Sequence, residues 1–356
     1  METIPSLQWV KDQGLFADAE RIGQTLSKIF PSCLGITDEK ILIIGDCGSP
    51  GKLVAPLLAS AFYVAANSLN LNTKLVFQSP KSKGDITDDD VISSLSDLPE
   101  GNIIIVNSSD KLGSLGELGR SFRKFVAKKK HRFLSATSLG DLDTSMVDAV
   151  IDAANVDYKP MQSALKRLKE QLDRGKEIHV TTKAGTDFFY DIEGMTNLVS
   201  DGHYTEKGTG GNFPSGEVYV PCSGNRVEGK VVLDGSSRNW KHTAIIKTPI
   251  SLTIEKGSIT SIEGGEEAKE LQKTLEMAAG ISKHPKSVYR VGELGIGMNP
   301  KARIIGSTLV DEKTLGTAHI GIGSNYWFGG KIYALIHLDQ IFKAPEIELD
   351  GKKVDI

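Results

Sequence analysis

The sequence predicts an α/β N-terminal domain with a mostly parallel sheet, followed by a β-rich α+β metal-binding domain. Short apolar runs alternate with helix-length segments in the first half. Short strands and glycine turns dominate the second half, and ionisable residues interrupt several of its apolar strands. Alternation of strands and helices implies a parallel sheet with helices on its faces.

In the first half, Ile41–Ile44 reads as a buried strand ending in Gly45, and Leu53 to Leu69 as an Ala- and Leu-rich helix. Thr73–Phe77 and Asn102–Val106 are the next strands, with Arg132–Ser135 as a fourth. Asp88 to Leu95 reads as a helix that Asp88 can cap, and Ser114 to Lys130 as a helix despite two glycines. The stretch "GDCGSPGKL" invites a phosphate-loop reading, but five residues separate Gly45 from Gly51 and Leu53 follows Lys52. A phosphate loop needs four residues there, then Ser or Thr, so a glycine turn entering a helix is expected.

Pro160 opens a helix with Leu165, Leu168 and Leu172 on one face, stopped by Gly175. From Lys176 onward the turns crowd closer. Leu252–Ile254 and Ser258–Ile262 flank Glu255-Lys256-Gly257, a hairpin signal, and Glu266 to Ala279 is one helix amid strands. The expected domains are therefore residues 1–175 and 176–356.

A net charge of −3 gives no sign of a nucleic-acid or anionic-membrane partner. The basic run Lys128 to Arg132 reads as a solvated helix end. There is no signal-peptide pattern and no apolar run near the roughly 18 residues of a membrane span. Cys33, Cys47 and Cys222 form neither a metal spacing nor a disulfide framework. A cytoplasmic protein is expected.

The chemistry gathers in four segments. Glu217 follows a Pro-Ser-Gly turn, and Glu293 sits among glycines in "RVGELGIGMNP". His319 lies in the glycine-spaced "GTAHIGIGSNY", which also holds Tyr326. "KIYALIHLD" reads as a strand over Ile332–Ile336 delivering His337 and Asp339 to one face, since alternate strand residues point the same way. Arg and Lys are sparse in these segments, and burying such carboxylates without cations costs several kcal/mol each. Divalent metal supplies the missing charge. Three carboxylates and two imidazoles suit two ions better than one.

"NFPSGEVYVP", "GELGIGMNP", "DEKTLGTAHIGIG" and "IHLD" resemble the aminopeptidase T/aminopeptidase S family of metallopeptidases, and "GTDF" at Gly185 to Phe188 fits too. The resemblance covers residues 180 to 350. It implies a cytoplasmic metalloaminopeptidase, a hydrolase with two Zn, Co or Mn ions, acting on peptides and forming a homodimer. Carried over by motif, its metal ligands fall on Glu217, Glu293, His319, Tyr326, His337 and Asp339. Glu217 or Glu293 would serve as general base, and Tyr326 would bind metal or steady an oxyanion. The same fold also resembles the 2,5-dihydroxypyridine dioxygenases, which hold one Fe(II) with two histidines and an aspartate. His319, His337 and Asp339 match that alternative set. The loop between Tyr326 and His337 is contracted relative to the peptidase family.

Overall fold

The apolar runs of the first half pair side by side, the central ones at Ile41 and Ile103 being too apolar to tolerate water on either face. In the computed structural model, which describes residues 7–119, 121–222 and 226–356, they form a parallel sheet. Its order is Thr73–Gln78, Ile41–Asp46, Ile103–Asn107, Arg132–Ala136 and Gly210–Asn212. The helix Val54–Ser68 follows the first strand and buries most of its length, as its Ala- and Leu-rich sequence requires. On one face Leu42, Ile44, Ile104, Val106 and Phe133 pack with Val91, Leu95, Phe125 and Val126.

Several local expectations change. Asp88 stands at the N-terminus of the helix Asp89–Asp97 without capping it. Its carboxylate is drawn instead to Lys81 and to the Ser79 amide, at 2.9 Å. The helix expected over Ser114–Lys130 is a single 3₁₀ turn, Gly116–Leu118, and a helix at Phe122–Lys128. Gly119 between them, at φ 125°, adopts a conformation a helix cannot use. In "GDCGSPGKL", Ser49 and Lys52 exchange backbone hydrogen bonds and Lys52 Nζ donates to the Asp141 carbonyl at 3.0 Å, so the segment is a turn. The basic run is solvated only over Lys128–Lys130, because His131 and Arg132 are buried. Arg132 pairs with Glu39 and donates to the carbonyls of Leu34 and Gly35.

The second half is antiparallel, in two seven-stranded sheets. One runs Ser258–Glu263, Ile250–Glu255, Val227–Leu233, Asp187–Asp191, Glu177–Thr181, Glu346–Leu349, Lys352–Lys353. Its expected hairpin turns at Lys256 and Gly257, both at positive φ, as a tight two-residue turn demands. The other runs Thr243–Ile245, Ser236–Arg238, His337–Lys343, Thr317–Gly323, Val291–Gly297, Glu217–Pro221, Leu198–Ser200. The helix Glu266–Ile281 is the one expected there, and the helix at Pro160 starts slightly earlier, at Tyr158.

The chain divides into two units. One takes the described residues up to Tyr158 and Gly202–Ser215; the other takes Lys159–Asp201 and Gly216–Ile356. The division thus differs from a single boundary at 175, since Gly210–Asn212 completes the parallel sheet of the first unit. No described helix is long and apolar enough to cross a membrane.

Replacing Arg132 by Met leaves Glu39 without its buried partner, a loss of about 3 kcal/mol. Urea unfolding of the Arg132→Met chain should show that loss, with metal content unchanged.

Candidate metal centre

Four neighbouring strands of the second sheet carry the polar residues singled out above. The expected strand over Ile332–Ile336 is irregular chain, and the strand begins at His337. The reason lies in pairing: Gly323, the last residue of its partner strand, sits opposite His337, leaving nothing for residues 332–336 to pair with. The alternation argument still holds, from the start of a strand rather than its end. His337 and Asp339 share a face, and Leu338 is buried on the other.

Each large polar residue on that face lies opposite a glycine. Gly297 pairs with Glu217, Gly295 with His319, Gly321 with both Glu293 and Asp339, and Gly323 with His337. A methyl at Gly295 would come within 2.1 Å of the His319 ring. At Gly321 it would meet Glu293 and His337, both at 2.8 Å. The intervening residues Val218, Val220, Leu294, Ile296, Ile320 and Ile322 are buried and apolar. Glycine on one face and aliphatic on the other is what "GELGIG" and "AHIGIG" encode.

Glu293 is the centre of the cluster. Its Oε1 lies 3.3 Å from His319 Nε2 and its Oε2 lies 3.4 Å from His337 Nε2. His337 Nε2 is also 3.0 Å from Asp339 Oδ1, while its Nδ1 donates to the Ser324 carbonyl at 2.8 Å. That bond fixes the ring with Nε2 facing the carboxylates, as supporting bonds do for metal-binding histidines. Glu217 Oε2 lies 3.8 Å from His319 Nε2.

Sequence reasoning missed two members, Glu312 and Lys313. Lys313 is fully buried, and its ammonium bonds both Glu217 Oε1 and Glu312 Oε1. The signal was there: Asp311-Glu312-Lys313 is a charged trio set between Leu309-Val310 and Leu315, just before the His319 strand. Asp311 is buried and accepts from the Ile305 and Gly306 amides and the Ser236 hydroxyl, which anchors the turn. The expected ligand Tyr326 is not brought to the cluster. It is 64% exposed and packs edge-on against Tyr333. Trp327 and Phe328 beside it set ring edges against His337, at 4.8 and 5.9 Å between centroids.

The electrostatics show a pocket short of positive charge. Burial disfavours charged imidazoles, yet the carboxylates outweigh it and raise His319 to about 9 and His337 to about 10. Burial likewise works against ionised Asp339, but His337 overrides it and holds Asp339 well below the usual carboxylate range. Glu293 is raised, chiefly by burial. Glu312 is pushed up to about 8 by burial, against the pull of Lys313.

These donors fit a metal ion. Glu293, His337 and Asp339 form one group with ligand atoms within 4.8 Å of one another, and Glu217, Glu312 and His319 form another. Glu217 Oε2 and His319 Nδ1 are buried with no hydrogen-bond partner among the described residues. Imidazole and carboxylate together suit first-row divalent metals.

Comparison with known proteins gives the setting. The family model for NicX, 2,5-dihydroxypyridine 5,6-dioxygenase, matches residues 153–355. A 2,5-dihydroxypyridine 5,6-dioxygenase of Pseudomonas putida is 29% identical over 192 residues, which cover 51% of this chain and 53% of that protein. The match thus spans about half the length of that curated relative. Among solved structures, the 2,5-dihydroxypyridine dioxygenase of Pseudomonas putida KT2440 has a TM-score of 0.72 at 20% identity, over 95% of this chain and 96% of that one. AmpT from Thermus thermophilus has a TM-score of 0.61 at 15% identity, over 95% and 97%. These structural likenesses speak to the fold. The family match overturns the expectation of a metalloaminopeptidase, and with it the hydrolase and protease assignments. The misreading has a plain root: this fold resembles both the dioxygenase and the AmpT structures, and a shared fold does not fix the reaction.

Two outcomes follow from the geometry. Gly295→Ala and Gly321→Ala should each cut metal affinity as severely as loss of a supporting hydrogen bond, roughly 10–100-fold, with the fold kept; calorimetric titration against circular dichroism separates the two. The second concerns pH. Unfolded histidine titrates near ~6.5, so the raised imidazoles stabilise the metal-free fold fully below that pH. The stabilisation is lost as pH rises through about 9 and about 10. Melting temperature of the metal-free chain should therefore fall between pH 7 and 10. The loaded chain, whose imidazoles have already shed those protons, should lack that component.

Proposed function

The chain belongs to the NicX family of 2,5-dihydroxypyridine 5,6-dioxygenases, and from that membership we propose that it is a ring-cleaving dioxygenase using one Fe(II) on a hydroxylated aromatic ring. His319, His337 and Asp339 would hold the ion, a two-histidine, one-carboxylate set of the kind non-haem Fe(II) oxygenases use. The observation that carries the single-ion reading is Lys313, a fixed cation already seated between Glu217 and Glu312. One divalent ion replaces the charge of the two imidazole protons it displaces. Loading then leaves the buried charge unchanged, whereas a second ion would tip it positive.

Bound iron supplies the redox capacity that lets oxygen react with an electron-rich ring. The rest falls to the chain's own residues. Ser324 holds the His337 ring in one tautomer. Glu293, with a carboxyl raised by burial, is the group suited to take up the proton a ring hydroxyl loses. Trp327 is 58% exposed beside His337 and offers a flat aromatic face at the rim, where a planar ring can stack.

The test is oxygen uptake. The chain loaded anaerobically with Fe(II) should consume oxygen when given 2,5-dihydroxypyridine or a related dihydroxylated ring, and should hold one iron per chain. His337→Ala and Asp339→Ala should lose uptake and iron together while keeping the native circular dichroism. Iron-loaded chain that consumes no oxygen across a panel of dihydroxylated pyridines and benzenes would sink the reading.

A further inference from the structure

We infer that the cavity lined by Lys286, Arg290 and Lys331, together with Ser258 and Ser287, binds a small organic anion through a carboxylate or phosphoryl group. None of the residues lining it is a candidate metal ligand, and the inference stands apart from the reaction proposed above.

The first observation is charge. Three cationic side chains meet at one cavity of a chain whose net charge is −3, and no carboxylate lines it. None of the three enters an ion pair among the described residues. Lys286 and Lys331 are exposed and Arg290 is half-buried, so water screens part of their mutual repulsion. An anion between them removes the rest.

The second observation is how Arg290 is held. Its Nη1 donates to the Lys256 carbonyl at 2.8 Å. Gly257 leaves room for the guanidinium, since a methyl there would come within 2.8 Å of Nη2 and 3.1 Å of Cζ. The backbone is pinned as well. The Arg290 carbonyl accepts from the Gly323 amide at 2.7 Å, and the neighbouring Val291 amide donates to the Gly257 carbonyl at 3.0 Å. One arm of the guanidinium is thus occupied by the hairpin turn, and its other N–H groups have no partner among the described residues. A planar guanidinium fork matches the paired oxygens of a carboxylate or phosphate.

The third observation is the wall that carries Lys331. Asn325 is fully buried, and its Oδ1 accepts from the Ile332 amide at 2.8 Å while its Nδ2 donates to the Gly292 carbonyl at 2.8 Å. These bonds tie the segment at Lys331 and Ile332 to the strand Val291–Gly297, so its position rests on buried structure. The cavity measures about 450 Å³. Sites for small organic ligands span roughly 300–1,000 Å³, so there is room for more than the anionic group alone.

The test titrates the full chain, freed of metal, with inorganic phosphate and with succinate by calorimetry. At least one should bind at a single site, with affinity falling as salt is added. Tighter phosphate assigns a phosphoryl group, and tighter succinate a carboxylate. Arg290→Gln should weaken the preferred anion roughly tenfold, the loss of one charge-assisted hydrogen bond. Lys286→Gln and Lys331→Gln combined should take binding below detection. Hydrogen exchange should slow in the peptides carrying Ser287 and Lys331 when the anion is added. Failure of both anions to bind at millimolar concentration overturns the proposal. So does binding that survives these substitutions, or exchange that slows only around His319 and His337, which would put the anion in the metal centre. Should Arg290→Gln fail to fold, the double lysine variant, altered only at exposed positions, decides. Oxygen uptake is not among the readouts, so failure here leaves the dioxygenase reading standing.

Discussion

Glu217, Glu293, Glu312 and Asp339 are held out of water on one stretch of antiparallel sheet, and none can stay ionised there without positive charge close by. The arrangement around them answers to that requirement. Lys313 meets two of the carboxylates from below a braced turn. His319 and His337 meet the others and gain protons when no ion is bound. As ligands to a metal the same imidazoles would be neutral, so binding would exchange one form of positive charge for another.

The sheet makes this possible through two surfaces of opposite character. Aliphatic residues such as Leu294, Ile296, Ile320 and Ile322 bury one face completely and anchor the strands. On the other face glycines lie opposite each large polar group. The imidazoles and carboxylates therefore sit close to the backbone, with little freedom to swing. Close positioning of that sort is what a metal centre needs to be preformed rather than assembled by the ion.

Much of this was legible in the sequence, and the failures have physical causes. The strands at Ile41 and Ile103 are buried on both faces, a pattern few other structures accept. His337 and Asp339 were readable as a pair because strand alternation does not depend on where the strand starts. Its start was misread because Ile332–Ile336 is as apolar as a strand, and only the length of the partner strand shows that it goes unpaired. Tyr326 was placed at the site by motif, but the short loop turns it outward beside Tyr333. Lys313 escaped notice because a charged residue in a turn ordinarily faces water. Its burial follows from contacts with Gly297 and Asn299, which no local pattern announces. The activity itself was misassigned between two relatives of one fold, since fold and ligand types alone do not fix the reaction.

The glycine-faced sheet also bears on how such a centre can change through descent. A ligand can sometimes be exchanged for another donor of similar reach, such as Asp for Glu. Gly295, Gly297 and Gly321 have no such substitute, because any larger residue collides with a donor or with the backbone that delivers one. The heritable footprint of the centre is therefore wider than its ligands. Drift at positions with no chemistry of their own would erase it as surely as loss of a histidine.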